Sequence, residues 1–261
     1  MQAAVSTGCL FPAPTEEAFF QLANIGIDTI EVFVNAPSEQ SAAFTKSLRE
    51  MQQRFHVQIP AVHPYTAPIE GFMLFSRYKR RCEDFLEEAK SVFSMMSTLG
   101  AKHYILHGAK NGISSDIGFY CERFAKLAEL GKTFGVTVTQ ENVNKFESGD
   151  LPFLREFCRI LGDDARLTLD VKQVVRSGMD FKETVDAIGG HIAHVHLSDH
   201  GAAGDCLRIG KGDFDIPAFL KHLKSKGFDG AVSIEIYRDA FGTADELHSD
   251  YLLLDEMLRN I

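Results

Sequence analysis

Short apolar runs alternate with amphipathic stretches along the whole chain. The runs predict strands at about Val5–Phe11, Ile27–Val34, Val57–His63, His103–His107, Val136–Glu141, Leu167–Asp170, Ile192–Leu197 and Val232–Ile236. Consecutive apolar positions suit strands that are buried on both faces. The stretches between them read as helices. In the clearest, Tyr78, Cys82, Phe85, Leu86, Ala89, Val92, Phe93, Met96 and Leu99 recur at the three-and-four spacing of one helix face. Gly26, Gly100, Gly135, Gly162, Gly189-Gly190 and Gly227 each stand between a helical pattern and the next run. Glycine just past a helix end adopts the left-handed conformation at little cost, so it is a natural helix-to-strand join. Helix starts are marked by Thr15 ahead of Glu16 and Glu17, by the capping-box spacing of Asp180 and Glu183, and by Asp215 ahead of Ile216-Pro217.

Strict alternation of strands and helices implies a parallel sheet. Eight such units in 261 residues match an α/β architecture of the (β/α)8 TIM barrel type, with residues 1–261 forming one domain. No Pro/Gly/Ser linker or low-complexity segment marks a boundary. An open doubly wound sheet is the competing arrangement. It ranks lower because candidate ligands stand at many strand ends rather than at one crevice, and no G-x-G-x-x-G follows the first strand.

Four consecutive runs end in a side chain able to bind a metal: Glu141, Asp170, His196 and Glu235. An ionised carboxylate at the end of a buried strand is costly unless it is paired or coordinates a metal. One acid in that position more often caps a helix or makes a salt bridge. Four in successive units would form one arc at the C-terminal rim of a barrel, where active sites of this fold are built. Three carboxylates and an imidazole would repel each other there, and one divalent cation removes the repulsion. Oxygen and nitrogen ligands of this kind suit Mn, Mg, Co or Zn.

His63 and His107 also end apolar runs and would close the ring on strands three and four. They could hydrogen-bond a polyol, hold a second metal, or be buried imidazoles satisfied by backbone. His194 is expected to face away from His196 and to be structural. Glu147, Gln173 and Arg208 lie in the segments after strands five, six and seven. Arg208 belongs to a long loop, Ser198–Phe214, whose Ile209-Gly210-Lys211-Gly212 tail could cover a ligand.

Composition narrows the function classes. The net charge of −9 is poorly suited to a phosphate backbone, so no nucleic-acid partner is expected. The five cysteines are widely spaced and unpaired in pattern, which points to reduced thiols and a cytoplasmic protein. No signal-peptide pattern and no apolar stretch of membrane-spanning length is visible.

The chain resembles the xylose isomerase-like barrels, which include sugar isomerases, sugar epimerases, inosose dehydratases and the endonuclease IV type of repair enzyme. The carriers are Val62-His63-Pro64, Ile105-Leu106-His107-Gly108, Gln140-Glu141-Asn142-Val143, Leu169-Asp170, His194-Val195-His196-Leu197-Ser198-Asp199, Ile209-Gly210-Lys211-Gly212 and Ile234-Glu235. The resemblance implies that Glu141 and Glu235 are both metal ligands and the proton-transfer pair of a ketose 3-epimerase, with Asp170 and His196 completing the site. It implies that Glu147 and Arg208 grip sugar hydroxyls, and that homo-oligomers occur. The metal would lower the energy of an enediolate while a carboxylate acts as general base.

In one place the chain departs from the pattern: Gln173 stands where epimerases carry histidine, so the substrate's identity is open. A dehydratase acting on keto-inositols is the alternative. The endonuclease reading ranks lower, because the Asp-x-His pair it needs after strand seven is replaced by Gly204-Asp205-Cys206-Leu207-Arg208. A barrel that binds a ligand without catalysis is a further alternative.

Overall fold

A computed structural model describes residues 1–114 and 116–261. Eight parallel strands close into a barrel. In chain order these are β1 (Gln2–Ser6), β2 (Ile30–Phe33), β3 (Ala61–His63), β4 (His103–Leu106), β5 (Thr137–Glu141), β6 (Leu167–Asp170) and β7 (Ile192–Leu197), with β10 (Ala231–Ile234) closing the ring between β7 and β1. The remaining pair, β8 (Asp199–Gly201) and β9 (Gly204–Leu207), is an antiparallel hairpin above the barrel. It lies inside the segment expected to be a long loop.

Among the described residues ten α-helices surround the barrel: α1 (Thr15–Asn24), α2 (Ala42–Phe55), α3 (Ala67–Met73), α4 (Lys79–Leu99), α5 (Ile117–Thr133), α6 (Leu151–Leu161), α7 (Val171–Ser177), α8 (Phe181–Ile188), α9 (Ile216–Ser225) and α10 (Ala244–Arg259). None of the described helices is long and apolar enough to cross a membrane. All five cysteines are free.

The expected elements recur with shifted ends, each for a local reason. The first strand starts and stops earlier, because Thr7–Leu10 turns into a 3-10 helix capped by the Ser6 side chain. The third is short, since Pro60 has no N–H for the ladder: Ala61–His63 forms the strand, and Gln58 makes only an isolated bridge to Thr29. Thr15 does not cap α1. Its hydroxyl instead donates to the Phe33 carbonyl at 2.9 Å. Asp180 and Asp215 do cap α8 and α9. The α4 stripe from Cys82 to Leu99 packs on the barrel, but Tyr78 stands outside that helix and is exposed. Between β6 and β7 the chain makes two helices, because Asp170 starts α7 by accepting the Gln173 N–H at 2.9 Å.

The lumen is more polar than in a barrel filled by branched aliphatic side chains. Strands β2 and β7 are not neighbours in the ring, yet Glu31 Oε2 and His194 Nε2 meet at 2.6 Å across it. Thr139 and Thr168, the latter in register with His194, share a hydrogen bond of 2.7 Å. All four are fully or almost fully buried.

Candidate active site

Backbone position brings the candidate ligands together. Glu141 and Asp170 are the last residues of β5 and β6. His196 is the penultimate residue of β7, in register with Asp170. Glu235 follows β10 directly, and its N–H still donates to the Leu197 carbonyl at 3.1 Å. Asn142 clamps the end of β6 from both sides. Its side-chain Oδ1 accepts the Asp170 N–H at 2.7 Å and its Nδ2 donates to the Asp170 backbone carbonyl at 3.1 Å.

Around His196 Nδ1 stand Glu141 Oε1 at 3.2 Å, Glu235 Oε2 at 3.4 Å and Asp170 Oδ2 at 3.8 Å. The four potential ligand atoms lie within 4.8 Å of one another. His63 Nε2 and His107 Nε2 are 2.9 Å apart, and His107 Nε2 is 2.7 Å from Glu141 Oε2. These three residues form a second convergent group that shares Glu141.

The carboxylates and imidazoles of the site perturb one another strongly. Burial pushes the Glu141 carboxyl up, but the His107 charge, followed by contacts from His107, His196 and His63, holds it well below the usual carboxylate range. Burial also opposes ionisation of Glu235, which the charges of His196 and Lys172 nevertheless bring down. Asp170 is raised, because burial outweighs the neighbouring Lys172 charge. Burial lowers the His196 imidazole, yet Glu235 and Glu31 lift it well above its ordinary value. Burial lowers His107, but the charge and hydrogen bond of Glu141, together with the charges of Glu70 and Glu235, raise it to about 8.

A divalent ion fits this donor set. Buried Glu141 Oε2 and Asp170 Oδ2 make no well-aligned hydrogen bond, although His107 Nε2 and Lys172 Nζ lie 2.7 and 3.3 Å from them, and misaligned contacts leave such oxygens poorly satisfied. Both belong to the convergent groups, and a cation among them would satisfy both. Asp170, Glu141, Glu235 and the Nδ1 of His196 would hold it.

Above this centre opens a cavity of about 460 Å³. Phe11, Phe33, Pro64, Tyr65 and Tyr237 form apolar walls, and His63, His107, Glu141, Lys172, Gln173 and Glu235 supply polar groups. A few convergent polar groups in an apolar cleft are the usual form of a small-molecule site. A larger cleft of about 820 Å³ runs between α2 and α4, but its charged side chains face solvent and do not converge.

Gln173 lines the cavity, where its Oε1 accepts the Asn144 N–H at 3.1 Å. Glu147 and Arg208 are placed elsewhere. Glu147 accepts from the Ser114 hydroxyl at 3.0 Å and the Gly112 N–H at 3.2 Å, in a separate surface pocket. Arg208 holds α10, with Nε and Nη2 on Asp250 at 2.9 and 3.0 Å and Nη1 on Glu246. The loop tail Gly210–Gly212 is tied down by Asp199, which accepts the N–H groups of Gly210 and Gly212 at 2.9 and 3.0 Å.

The expectation for His194 is overturned. Residues two apart on a strand share a face, so His194 and His196 both enter the lumen. Both bond Glu31 Oε2, at 2.6 and 3.1 Å. Because Nε2 of His196 is engaged by Glu31, Nδ1 is the atom turned to the three rim carboxylates.

Two members of the site have no motif in the sequence. Glu31 reads as one acid inside an apolar run. Lys172 reads as a solvated helix residue, yet it is only 4% exposed and its Nζ sits 3.0 Å from Glu235 Oε2 and 3.3 Å from Asp170 Oδ2. The only available signal was its place two residues after Asp170, at the start of a helix.

Known proteins share this frame. An uncharacterized protein of Methanocaldococcus jannaschii is 25% identical over 97% of this chain and 89% of its own length. The crystal structure of a D-tagatose 3-epimerase-like protein superimposes with a TM-score of 0.80 at 20% identity, covering 100% of this chain and 98% of that one. The D-allulose 3-epimerase of a Methylomonas species, solved with D-allulose, gives 0.79 at 16% identity over 98% and 96%. The family model for xylose isomerase-like TIM barrels matches residues 19–256, and the chain belongs to that family.

Proposed function

We propose that the chain is a divalent-metal-dependent epimerase or isomerase of a sugar or polyol, working by proton abstraction next to a carbonyl. The observation that carries this reading is the convergence of Glu141, Asp170, His196 and Glu235 within 4.8 Å beneath a cavity of sugar size. When bound, a divalent ion supplies the Lewis acidity that lowers the energy of an enediolate. Glu141 and Glu235 each keep a carboxylate at the cavity floor. One removes the proton from the substrate carbon and the other returns a proton from the opposite face. Burial keeps competing water out and strengthens each charge interaction. His63, His107 and Gln173 are placed to orient hydroxyl groups. Glu147 and Arg208 are left out of this assignment, since the hydrogen bonds given above tie both to other parts of the fold.

One observation favours a lyase as the second reading. His107 lines the cavity with its pKa raised to about 8, so near neutral pH it carries a proton that could leave with hydroxide. The five free thiols support a cytoplasmic setting as part of the same proposal.

Incubation with ketoses and keto-inositols in deuterated water, with Mn²⁺ supplied, tests both readings. An epimerase or isomerase incorporates one deuterium at the reacting carbon, whereas a dehydratase yields an absorbing enone. Glu141→Gln and Glu235→Gln should each lower kcat by about a hundredfold or more, the usual worth of a general acid or base. Full turnover in either variant would refute its assignment.

A further inference from the structure

Lys172 is a buried charged group at the rim that the reaction scheme above does not use. Its ammonium contacts the same two oxygens, Glu235 Oε2 and Asp170 Oδ2, that face His196 Nδ1. The side chain is held from behind, with Nζ 5.1 Å from the centre of the Tyr237 ring. Helix α7 fixes its backbone, because Asp170 caps that helix and Lys172 occupies its first turn. A buried ammonium is expensive unless paired, and both of its partners are candidate metal ligands.

Glu141, Asp170 and Glu235 bring three carboxylates to the rim. Lys172 and a divalent ion at His196 Nδ1 would both draw on the same Asp170 and Glu235 oxygens, so two cations would share one set of ligands. A carboxylate oxygen has lone pairs enough to accept from an ammonium and to ligate an ion at once.

We propose that Lys172 is a second, covalently tethered cation of the metal centre. It shares the Asp170 and Glu235 oxygens with a single divalent ion, and the repulsion between the two cations limits how tightly that ion is held. This inference rests on the metal-site reading of the same four residues.

The test is Mn²⁺ titration of the chelator-stripped full chain, followed by calorimetry or electron paramagnetic resonance. Wild type should bind one Mn²⁺. Lys172→Met and Lys172→Gln remove the charge, and the latter keeps a hydrogen-bond donor. Each should bind Mn²⁺ at least tenfold more tightly than wild type, while Lys172→Arg should stay within threefold. Neutral variants within threefold of wild type, or weaker, would show that Lys172 only packs against Tyr237 or orients the ligands, and the proposal would fall. Should neither neutral variant fold without an ion, refolding in Mn²⁺ supports the proposal and continued failure opposes it. If wild type itself takes up no Mn²⁺, Mg²⁺, Co²⁺ or Zn²⁺, the metal-site reading fails, a result distinct from unchanged affinity in the variants.

Discussion

Replacing Gly108 by alanine probes how the rim holds His107. Gly108 has φ of +90°, a conformation that L side chains rarely adopt. A Cβ built there would overlap the Tyr120 hydroxyl and lie 3.1 Å from Gln140 Nε2. Neither neighbour can yield freely. Tyr120 is fully buried and stacks on Phe75 at 4.1 Å between ring centres. Its hydroxyl donates to Gln140 Oε1 at 2.6 Å, and Gln140 Nε2 donates to the carbonyls of Leu106 and His107 at 3.2 and 2.9 Å. The backbone strain costs about 1–2 kcal/mol. Breaking the Tyr120–Gln140 bond and stranding a buried oxygen costs about 1–3 kcal/mol more. A total near 3 kcal/mol corresponds to a fall in Tm of roughly 6–12 °C for a chain of this size. Thermal and urea unfolding of Gly108→Ala, Tyr120→Phe and the double variant measure it. Tyr120→Phe removes the overlapping oxygen, so the double variant should be at least about 1 kcal/mol more stable than additivity predicts. Strict additivity would mean that the hydroxyl is not what excludes a side chain at this position, and the argument would be wrong.

Three further outcomes are expected. Saturating Mn²⁺, at about a hundredfold over Kd, should stabilise the wild type by about 2.7 kcal/mol. Asp170→Asn keeps an oxygen for the α7 cap but should lose most of that gain, and an equal thermal shift in both proteins would remove Asp170 from the metal site. Arg208→Ala strips the partly buried Asp250 of its bidentate partner and should cost about 2 kcal/mol or more in urea unfolding with KM unchanged. A rise in KM without loss of stability would instead place Arg208 on the substrate.

The third concerns pH. Burial, followed by the charges of His194, Arg166 and Lys102, lowers His103 to about 4. For a base depressed in the folded state, stability is fully present above the unfolded value near 6.5 and declines as pH falls toward 4, by at most about 3 kcal/mol. His103→Gln should flatten that decline between pH 6.5 and 4, and an unchanged slope would exclude His103 as its source.

The four rim residues were legible in the sequence because each closes its own apolar run. Where a buried strand ends is a local property, set by a few side chains and the glycine or proline beside them. The alternation of units then placed the ends of β5, β6, β7 and β10 on one rim, since parallel strands joined by helices must all point the same way. Local patterns were also enough for the caps at Asp180 and Asp215. They failed at Thr15, where the hydroxyl finds a closer partner on β2, whereas at His194 the period of two, properly applied, gives the observed direction shared with His196.

What the tertiary structure alone decided are the contacts that cross the ring or fold back over it. Glu31 reaches His194 and His196 only because closure sets β2 across the lumen from β7. Lys172 reaches Glu235, 63 residues away, because a long flexible stem can turn from the first turn of α7 back over the rim. Arg208 is drawn to α10 rather than to the cavity by two acids 38 and 42 residues further along. Such partners share no spacing with the residue they bind. Their pairing depends on distances that exist only once the barrel has closed and its helices have docked.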